Sequence, residues 1–301
     1  MSTMAPRDLR GQRLIAVGLA VNVALATVKI LAGIAGHSAA LIADAAESMV
    51  DIAGSVVIWG GLRIASMPAD EDHPYGHGKA EALAGLVVAM MVLAAGIAAG
   101  VNGVLALVHP GPTPRAYTLM VLVVVVAAKE VMFHVTRRAA RKLDSGAVLV
   151  DAWHHRSDAI TSLAAFAGIS LAVWGGGRLY WADPVAALVA SAIIVVNAVL
   201  LFGTPLHELM DAVPTEVVDT TREVAAAVPG VVHVEKVSGR KSGRRYWVDM
   251  HVWVDPQMTV SDAHALSHRV KDAVCAGVAG VADVLVHIEP WAPRGVEPPA
   301  S

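Results

Sequence analysis

Residues Ala43–Ser55 read ADAAESMVDIAGS and place three carboxylates in a run that is otherwise apolar enough to cross a bilayer. The carboxylates are Asp44, Glu47 and Asp51, and their spacings of three and four residues put them on one face of a helix. Ionisable groups at membrane depth are costly, and they commonly mark the path of an ion or a substrate. The stretch therefore predicts a membrane helix with one polar face.

A second segment, Val150–Ser162, reads VDAWHHRSDAITS and repeats this pattern. Asp151, His154 and Asp158 have the same three-then-four spacing inside another apolar run. Two copies indicate two halves of one buried site. We expect a membrane protein that moves a cation between four ligands: Glu47, Asp51, His154 and Asp158.

The composition favours a bilayer location, because 55% of the 301 residues are hydrophobic and only 16% are charged, whereas soluble domains have roughly 25% charged residues. The net charge of −3 gives no indication of nucleic-acid binding. One cysteine, Cys275, excludes an internal disulfide framework and a cysteine-rich zinc module. With 13 histidines in the chain, imidazole and carboxylate groups would have to hold any bound metal.

Apolar runs separated by polar or Pro- and Gly-rich breaks predict six transmembrane helices. Their expected bounds are Leu14–Ala35, Ala39–Ser66, Glu81–Val108, Tyr117–His134, Ala147–Trp174 and Pro184–Pro205. We expect Lys29 to extend toward the membrane surface, Asn22 to make a helix–helix contact, and the glycines of the third helix to allow close packing. Lys and Arg are concentrated in the N-terminal segment and the second and fourth loops, which predicts that both termini face the cytoplasm. We expect a bacterial inner membrane, with an internal vesicle as the alternative.

Beyond about His207 amphipathic and alternating patterns replace the apolar runs. They predict a helix at 215–227, strands at 231–237 and 246–254, a helix at 260–276 and a strand at 284–288, with a basic turn at 238–245. The expected fold is an α-helical integral membrane domain of six transmembrane helices plus a small cytoplasmic α+β domain, ordered α-β-β-α-β and ferredoxin-like. The expected division is a basic N-terminus at 1–13, the membrane domain at 14–206, the cytoplasmic domain at 207–291 and a disordered tail at 292–301.

In combination these motifs resemble the cation diffusion facilitator family of divalent-metal transporters, and the resemblance covers nearly the whole chain. It rests on the six spans, the paired ligand motifs, the loop HPYGHGKAE at His73–Glu81 and the α-β-β-α-β domain. His154-x-x-x-Asp158 matches the family's fifth-span motif, whereas Glu47 stands where the family has His or Asp. The loop and the WVDM stretch at Trp247–Met250 are also similar to the magnetosome iron-transporter subgroup.

Three carboxylates and one imidazole suit tetrahedral Zn²⁺ and, being harder than a His-rich set, also admit Fe²⁺, Co²⁺, Mn²⁺ or Cd²⁺. Because such ligands bind metal in their deprotonated form, the site can exchange metal for protons, and His154 titrates in the useful range. We expect Asp44 and Asp151 to hydrogen-bond a ligand or lie on the aqueous path. His155 is expected to face another helix or water, and Arg156 to balance negative charge in the empty site.

The resemblance implies further metal ligands outside the spans. At the membrane–cytoplasm boundary these are Asp70, His73 and His77, although a solvated turn explains so polar a loop equally well. In the cytoplasmic domain they are Asp249, His251, His264, His287 and Glu289, between dimerised domains. Glu235 stands where some members have His, whereas His233 and His268 are expected to be surface residues. Lys79 and Asp211 match a family ion pair near the domain junction.

These expectations combine into a homodimeric exporter of Zn²⁺ or Fe²⁺ that works by alternating access, with protons as counter-ions and membrane lipid around it. Metal binding to the cytoplasmic domains would shift the protein toward its transport-competent state. The alternative is a non-transporting metal-sensing or assembly scaffold, which has no need for four buried ligands. No enzymatic activity is expected, since the chain lacks H-E-x-x-H and an acid or base placed apart from the ligands.

Overall fold

The computed structural model describes residues 6–143, 146–175, 178–243 and 245–291. Within its helices, the side chains of residues 6–17, 140, 142–143, 146–152, 154 and 157 are outside the described set. The predicted tail at 292–301 is outside it as well.

Six long helices form the first two thirds of the chain at the positions that the apolar runs predict. They are α1 Pro6–Gly36, α2 Ala39–Ala65, α3 Ala80–Val108, α4 Tyr117–Leu143, α5 Gly146–Gly175 and α6 Ala182–Leu209. The predicted end of the fourth span at His134 is followed by the basic stretch Arg137–Lys142, which we expected to form the linker to the fifth span, and this is wrong because α4 continues through it. Arg, Lys and Ala are strong helix formers, so the charged segment extends the helix into a polar environment.

Five of the helices in the described ranges are long and apolar enough to cross a membrane, so the chain is a multi-pass membrane protein. The qualifying segments are Gly18–Gly36, Ala80–Val108, Tyr117–Ala139, Asp158–Gly175 and Ala182–Leu209. Helix α2 is not among them, although its 27 residues are long enough to span. Its three carboxylates and Arg63 lower its apolar character, and a sixth crossing stays a prediction.

Residues 1–57 and 87–201 form one compact unit, whose described interior is built largely from alanines around Leu41, Leu122 and Ile169. Small residues let helices approach closely, which is how apolar helices gain packing energy in lipid. At Gly100 of α3 an added Cβ would lie only 2.6 Å from the Ser191 Oγ of α6. That hydroxyl donates to the Gly96 carbonyl at 2.7 Å. The expected close packing of the third helix is therefore confirmed.

The N-terminus of α2 is capped by a carboxylate from the start of α6. Ser38 Oγ and the Ala39 amide donate to the two Asp183 oxygens at 2.6 and 2.7 Å, and the Ala40 amide donates at 3.3 Å. Asp183 is buried, and it satisfies amides that the helix itself leaves without partners. This cap fixes the start of the helix that carries Glu47 and Asp51.

Residues 58–86 and 202–301 form the second unit, which contains the α+β domain. Its elements are α7 Thr215–Ala226, β1 His233–Ser242, β2 Arg245–Val254, α8 Val260–Gly277 and β3 Val281–Pro290. The sheet order is β1-β2-β3, with β1 antiparallel and β3 parallel to β2. The predicted element order is confirmed, but the strands are longer than expected. Residues Ser238–Ser242, predicted as a turn, pair with Arg245–Asp249.

Alternation along β2 separates a core face from an outer face. Val248, Met250 and Val252 are buried against α8, where Leu266 and Val270 are also fully enclosed. The intervening residues Trp247, Asp249, His251 and Trp253 are partly or fully exposed on the opposite face of the sheet. The polar groups predicted as metal ligands on β2 therefore lie outside the core.

Met250→Ala should cost the α+β domain roughly 2–5 kcal/mol, because it removes a fully buried side chain at the centre of the sheet and leaves a cavity. Faster hydrogen–deuterium exchange across β1–β3 of the purified full chain would measure this loss. Val260→Ala is the matched control, since that side chain is 87% exposed. Equal exchange in the two variants would contradict the packing described for β2.

Candidate metal sites

One cavity in the membrane unit brings together carboxylates from both sequence motifs. It has a volume of about 440 Å³ and is lined by Glu47 and Asp51 of α2 and by Asp158 of α5. Asn197 of α6 also lines it, a residue that sequence reasoning missed. The side chains of His154 and Asp151 are not among those described, so the structure adds nothing about them. The cavity provides carboxylate and amide oxygens of the kind that hard divalent cations prefer.

Lys129 of α4 reaches one of these carboxylates from within the bundle. Its Nζ donates to Asp158 Oδ2 at 2.6 Å and to Asn22 Oδ1 of α1 at 2.8 Å. Both partners of the ion pair are buried, with side chains 4% and 9% exposed. Sequence reasoning gave Lys129 no role, although an ionisable residue inside a span is itself a signal of function. The Asn22 contact confirms the helix–helix role expected of that residue.

A second buried lysine joins α1 to α2 and α5. Lys29 Nζ lies 2.8 Å from Asp44 Oδ2 and donates to Ser48 Oγ and Ser162 Oγ at 3.1 and 3.3 Å. Ser162 in turn donates to Asp44 Oδ1 at 2.8 Å. The expectation that Lys29 extends to the membrane surface is wrong, because its side chain is only 1% exposed. An ammonium at this depth is held by its carboxylate partner and not by water.

Two residues beside the fifth-helix motif face other helices. His155 is buried, as expected for a side chain turned toward a neighbouring helix. The Arg156 guanidinium lies 4.8 Å above the Phe133 ring of α4 and 5.7 Å from the Trp153 ring. These are cation–π distances, so Arg156 contributes to the packing of α4 on α5. Its predicted part in charge balance stays a prediction.

The polar loop after α2 brings Asp70, His73 and His77 together in the second unit, with their ligand atoms within 4.8 Å of one another. Asp70 Oδ1 accepts from the His73 backbone amide at 2.7 Å and lies 3.0 Å from His73 Nδ1. Desolvation opposes ionisation of Asp70, but the two hydrogen bonds from His73 together outweigh it and lower the pKa of this carboxyl.

The two imidazoles of this loop are arranged so that a cation between them and Asp70 would be stabilised. His77 Nδ1 lies 3.2 Å from the Pro68 carbonyl, a contact in which the ring nitrogen must donate. His77 Nε2 is then left facing Asp70 Oδ2 at 3.4 Å. A metal ion between Nε2 and this carboxylate oxygen would be bound by both atoms.

Tyr75 anchors the same loop on the sheet. Its ring meets Trp247 of β2 edge-on at 5.2 Å, and the Arg240 guanidinium of β1 lies 4.3 Å from its centroid. Trp247 and His251 lie on the same face of β2, because they are an even number of residues apart in the strand. The loop cluster is therefore attached to the outer face of the sheet that carries the remaining candidate ligands.

Two ion pairs hold the junction between the membrane helices and the α+β domain within the second unit. Lys79 Nζ donates to Asp211 Oδ1 at 2.8 Å, with both side chains well exposed at 42% and 50%. Glu208 is only 7% exposed and accepts from Lys241 Nζ at 2.8 Å and from the Gly243 amide at 2.9 Å. The hydrogen bond to Glu208 raises the pKa of Lys241. The structure brings the predicted Lys79–Asp211 pair together, but sequence reasoning missed Glu208.

A third cluster lies on the outer face of the sheet and contains His251, His287 and Glu289, whose ligand atoms fall within 4.8 Å. Glu289 Oε1 lies 2.7 Å from His251 Nδ1 and 3.4 Å from His287 Nε2. Glu235 Oε2 lies 3.9 Å from His251 Nδ1, so Glu235 is a neighbour of the cluster.

Trp253 holds the carboxylate of this cluster from the other side, because its Nε1 donates to Glu289 Oε2 at 3.0 Å. Partial burial opposes ionisation of Glu289, but hydrogen bonds from Trp253 and His251 prevail and lower the pKa of this carboxyl. Glu289 is therefore kept as a carboxylate, the form that binds metal.

The structure does not unite all five predicted ligands of the domain. Among the residues it describes, Asp249 and His264 are not part of the three-residue cluster. His264 lies on α8, where its Nε2 is 3.2 Å from that of His268. The two rings meet at 89°, and both side chains are exposed. His268 is a surface residue as expected, but sequence reasoning did not predict its contact with His264.

The chain thus combines a multi-pass helical unit containing a carboxylate-lined cavity with an α+β domain that carries exposed imidazole–carboxylate clusters. The family model for the cation efflux transmembrane domain matches residues 15–210, and the model for the cytoplasmic domain of cation efflux proteins matches residues 213–291. The chain belongs to the cation efflux family, and its α+β domain is the family's cytoplasmic domain.

Curated relatives support this assignment. Metal tolerance protein C1 of Arabidopsis thaliana is 35% identical over 93% of this chain, which spans 62% of that relative's length. Magnetosome protein MamM of Paramagnetospirillum magneticum is 33% identical over 91% of this chain and 86% of its own. The manganese efflux system protein MneP of Bacillus subtilis is 25% identical over 95% of this chain and 98% of its own. The predicted resemblance to this family is confirmed.

At the junction, Glu208→Gln should destabilise the β1–β2 hairpin more than Asp211→Asn does. Both changes remove a charge with little change of shape, but only Glu208 is buried with a charged donor and a backbone amide. We expect a loss of about 1.5–3 kcal/mol for Glu208 and of about 0–1 kcal/mol for the exposed Asp211 pair. Hydrogen–deuterium exchange of residues 238–246 measures the difference, and a larger effect of Asp211→Asn would contradict this ranking.

Proposed function

We propose that this protein exports a divalent metal cation across the membrane. The observation that carries the proposal is the convergence of Glu47, Asp51 and Asp158 on one cavity inside the helical unit. Three carboxylates from two helices are costly to enclose unless a cation joins them for part of the working cycle. Membership of the cation efflux family supports the same reading.

The proposed ion is Zn²⁺ or Fe²⁺, held by Glu47, Asp51, Asp158 and His154. An oxygen-rich set with one imidazole suits Zn²⁺ and also accepts Fe²⁺, Co²⁺, Mn²⁺ or Cd²⁺. The name of the relative MneP records manganese efflux, so Mn²⁺ belongs in every comparison of ions. Glu47 has a longer side chain than Asp, and it is the position at which we expect ion preference to be set.

Transport would be coupled to protons, because the ligands bind metal only when deprotonated. Metal entering from the cytoplasm would displace protons, and protons from the other side would displace the metal. Alternating exposure of one site to the two sides completes such an exchange. We infer both termini to be cytoplasmic, in a bacterial inner membrane, with α2 as the sixth span.

We infer a homodimer in which the cytoplasmic domain, residues 207–291, senses metal. The name of the family model that matches residues 213–291 refers to a dimer. The exposed clusters around Asp70 and Glu289 would bind cytoplasmic metal, and Asp249 and His264 would join them only across the dimer. Binding would shift the population of conformations toward the one that transports.

In proteoliposomes containing a pH-sensitive dye, the wild-type protein should take up metal and release protons. Asp51→Ala should abolish both signals, since it removes one of three carboxylates of the cavity. Zn²⁺, Fe²⁺, Co²⁺ and Mn²⁺ are compared in the same assay to rank the ions. Glu223→Gln is the control, because that carboxylate is exposed on α7.

Retained flux in Asp51→Ala would overturn the assignment of the cavity as the transport site. An absence of flux for every ion, with metal still bound by the cytoplasmic domain, would favour the metal-sensing or assembly scaffold. Metal entry without proton release would refute only the antiport.

Glu289→Gln should weaken metal binding by the cytoplasmic domain by about tenfold or more, because it replaces a carboxylate ligand by an amide that donates toward His251. Zn²⁺ titration of the purified full chain, followed by calorimetry, measures the change. It is done with Asp51→Ala and Asp70→Ala as background, so that neither the membrane cavity nor the loop cluster contributes. Binding as tight as in the same background without Glu289→Gln would exclude Glu289 as a ligand.

A further inference from the structure

Lys129 binds the carboxylate of Asp158, the α5 residue that lines the cavity and would contact a metal ion there. Its ammonium lies 2.6 Å from Asp158 Oδ2, within the range of the strongest charge-assisted hydrogen bonds. Asp158 is 6% exposed and Lys129 is 3% exposed, so water does not screen the pair. An oxygen that accepts this bond presents its negative charge to the ammonium and not to the cavity.

We propose that Lys129 is a tethered counter-cation that holds Asp158 while the cavity has no metal and is displaced by the entering divalent cation. The proposal rests on the proposed transport function and specifies how the site is kept neutral between cycles. Lysine suits this task, because its charge is compact and sits at the end of a flexible four-carbon stem. It can leave one acceptor without moving the helix that carries it.

The surroundings of Lys129 supply a second acceptor. Asn22 Oδ1 of α1 lies 2.8 Å from the same Nζ, so the ammonium retains a hydrogen bond after it leaves Asp158. Without that acceptor, displacement would strand a buried charge, which is strongly destabilising. The amide thus lowers the cost of exchanging one cation for the other.

Competition by Lys129 weakens metal binding and promotes release. A carrier must bind its ion tightly enough to load and weakly enough to unload, and an attached competitor shifts this balance toward unloading. The structure contains a natural comparison, since Lys29 is also buried and paired with a carboxylate, Asp44. Asp44 does not line the cavity, so Lys29 should be structural only.

The test is a Co²⁺ titration of the purified full chain, followed by the visible absorbance of the bound ion. Asp70→Ala and Glu289→Ala form the background, which removes the exposed clusters. Lys129→Met should bind Co²⁺ about tenfold or more tightly than the background protein, because it removes a competing charge-assisted bond. Lys29→Met should tighten binding far less than Lys129→Met does, because its carboxylate partner does not line the cavity. Lys129→Arg, which keeps a cation, should stay close to the background value.

Transport provides a readout that a merely structural role would not produce. In proteoliposomes Lys129→Met should lower both KM and kcat, since tighter loading is accompanied by slower release. A structural lysine would lower kcat without lowering KM. If Lys129→Met does not fold, Lys129→Gln supplies a neutral side chain that can still donate to Asn22.

The outcomes separate this proposal from the function on which it rests. Co²⁺ binding that is unchanged or weakened in both neutral variants would overturn the displacement of Lys129 and leave the transport site intact. If adding Asp51→Ala to the background protein did not weaken its Co²⁺ binding, the assignment of the cavity as the transport site would itself be overturned. If Lys29→Met tightened Co²⁺ binding as much as Lys129→Met does, the cause would be a general effect of charge. That result would overturn the specific role of Lys129.

Discussion

The structure of the membrane unit depends on compensating carboxylates that are buried away from water. Asp44 is paired with Lys29, Asp158 with Lys129, and Asp183 with the amides at the start of α2. Removing one partner of such a pair costs about 3–5 kcal/mol, because the other charge is left unpaired. The pairs join α1 to α2, α4 to α5 and α6 to α2. Of these carboxylates Asp158 lines the cavity, so one of the pairs that join the helices also neutralises part of the cavity wall.

The sequence predicted the helices of this unit and the polar face of α2 but not the partners of its charges. Apolar runs delimit a span, and three-then-four spacing within one helix shows which residues share a face. Spacing carries no information about which other helix meets that face. Lys129 and Asp158 lie on different helices, so only packing reveals their contact. For the same reason Lys29 was expected at the membrane surface, whereas Asp44 retains it in the interior.

In the cytoplasmic domain, the alternating pattern predicted the strand β2, which has core residues on one face and polar residues on the other. It could not show which side of the sheet the helices cover. The buried face of β2 packs on α8, which puts His264 in the helical layer while His251 and Glu289 lie on the open face. Glu235, questioned because it replaces a histidine, reaches the cluster from β1. Strand pairing brings these residues together, and pairing is a property of the whole sheet.

The buried and exposed candidate sites differ in the groups that compensate the negative charge of their carboxylates. In the described residues of the two exposed clusters, the carboxylates contact imidazole, indole and backbone amide groups, and water screens the remaining charge. An ion can bind or leave such a cluster without a substitute. In the membrane cavity Asp158 is only 6% exposed, so its charge is compensated by another charge and not by water, and a departing cation would be replaced by a proton or by an attached ammonium. Lys129 supplies such an ammonium from within the chain. The buried cavity is therefore suited to exchanging one cation for another, whereas the exposed clusters are suited to holding a bound ion.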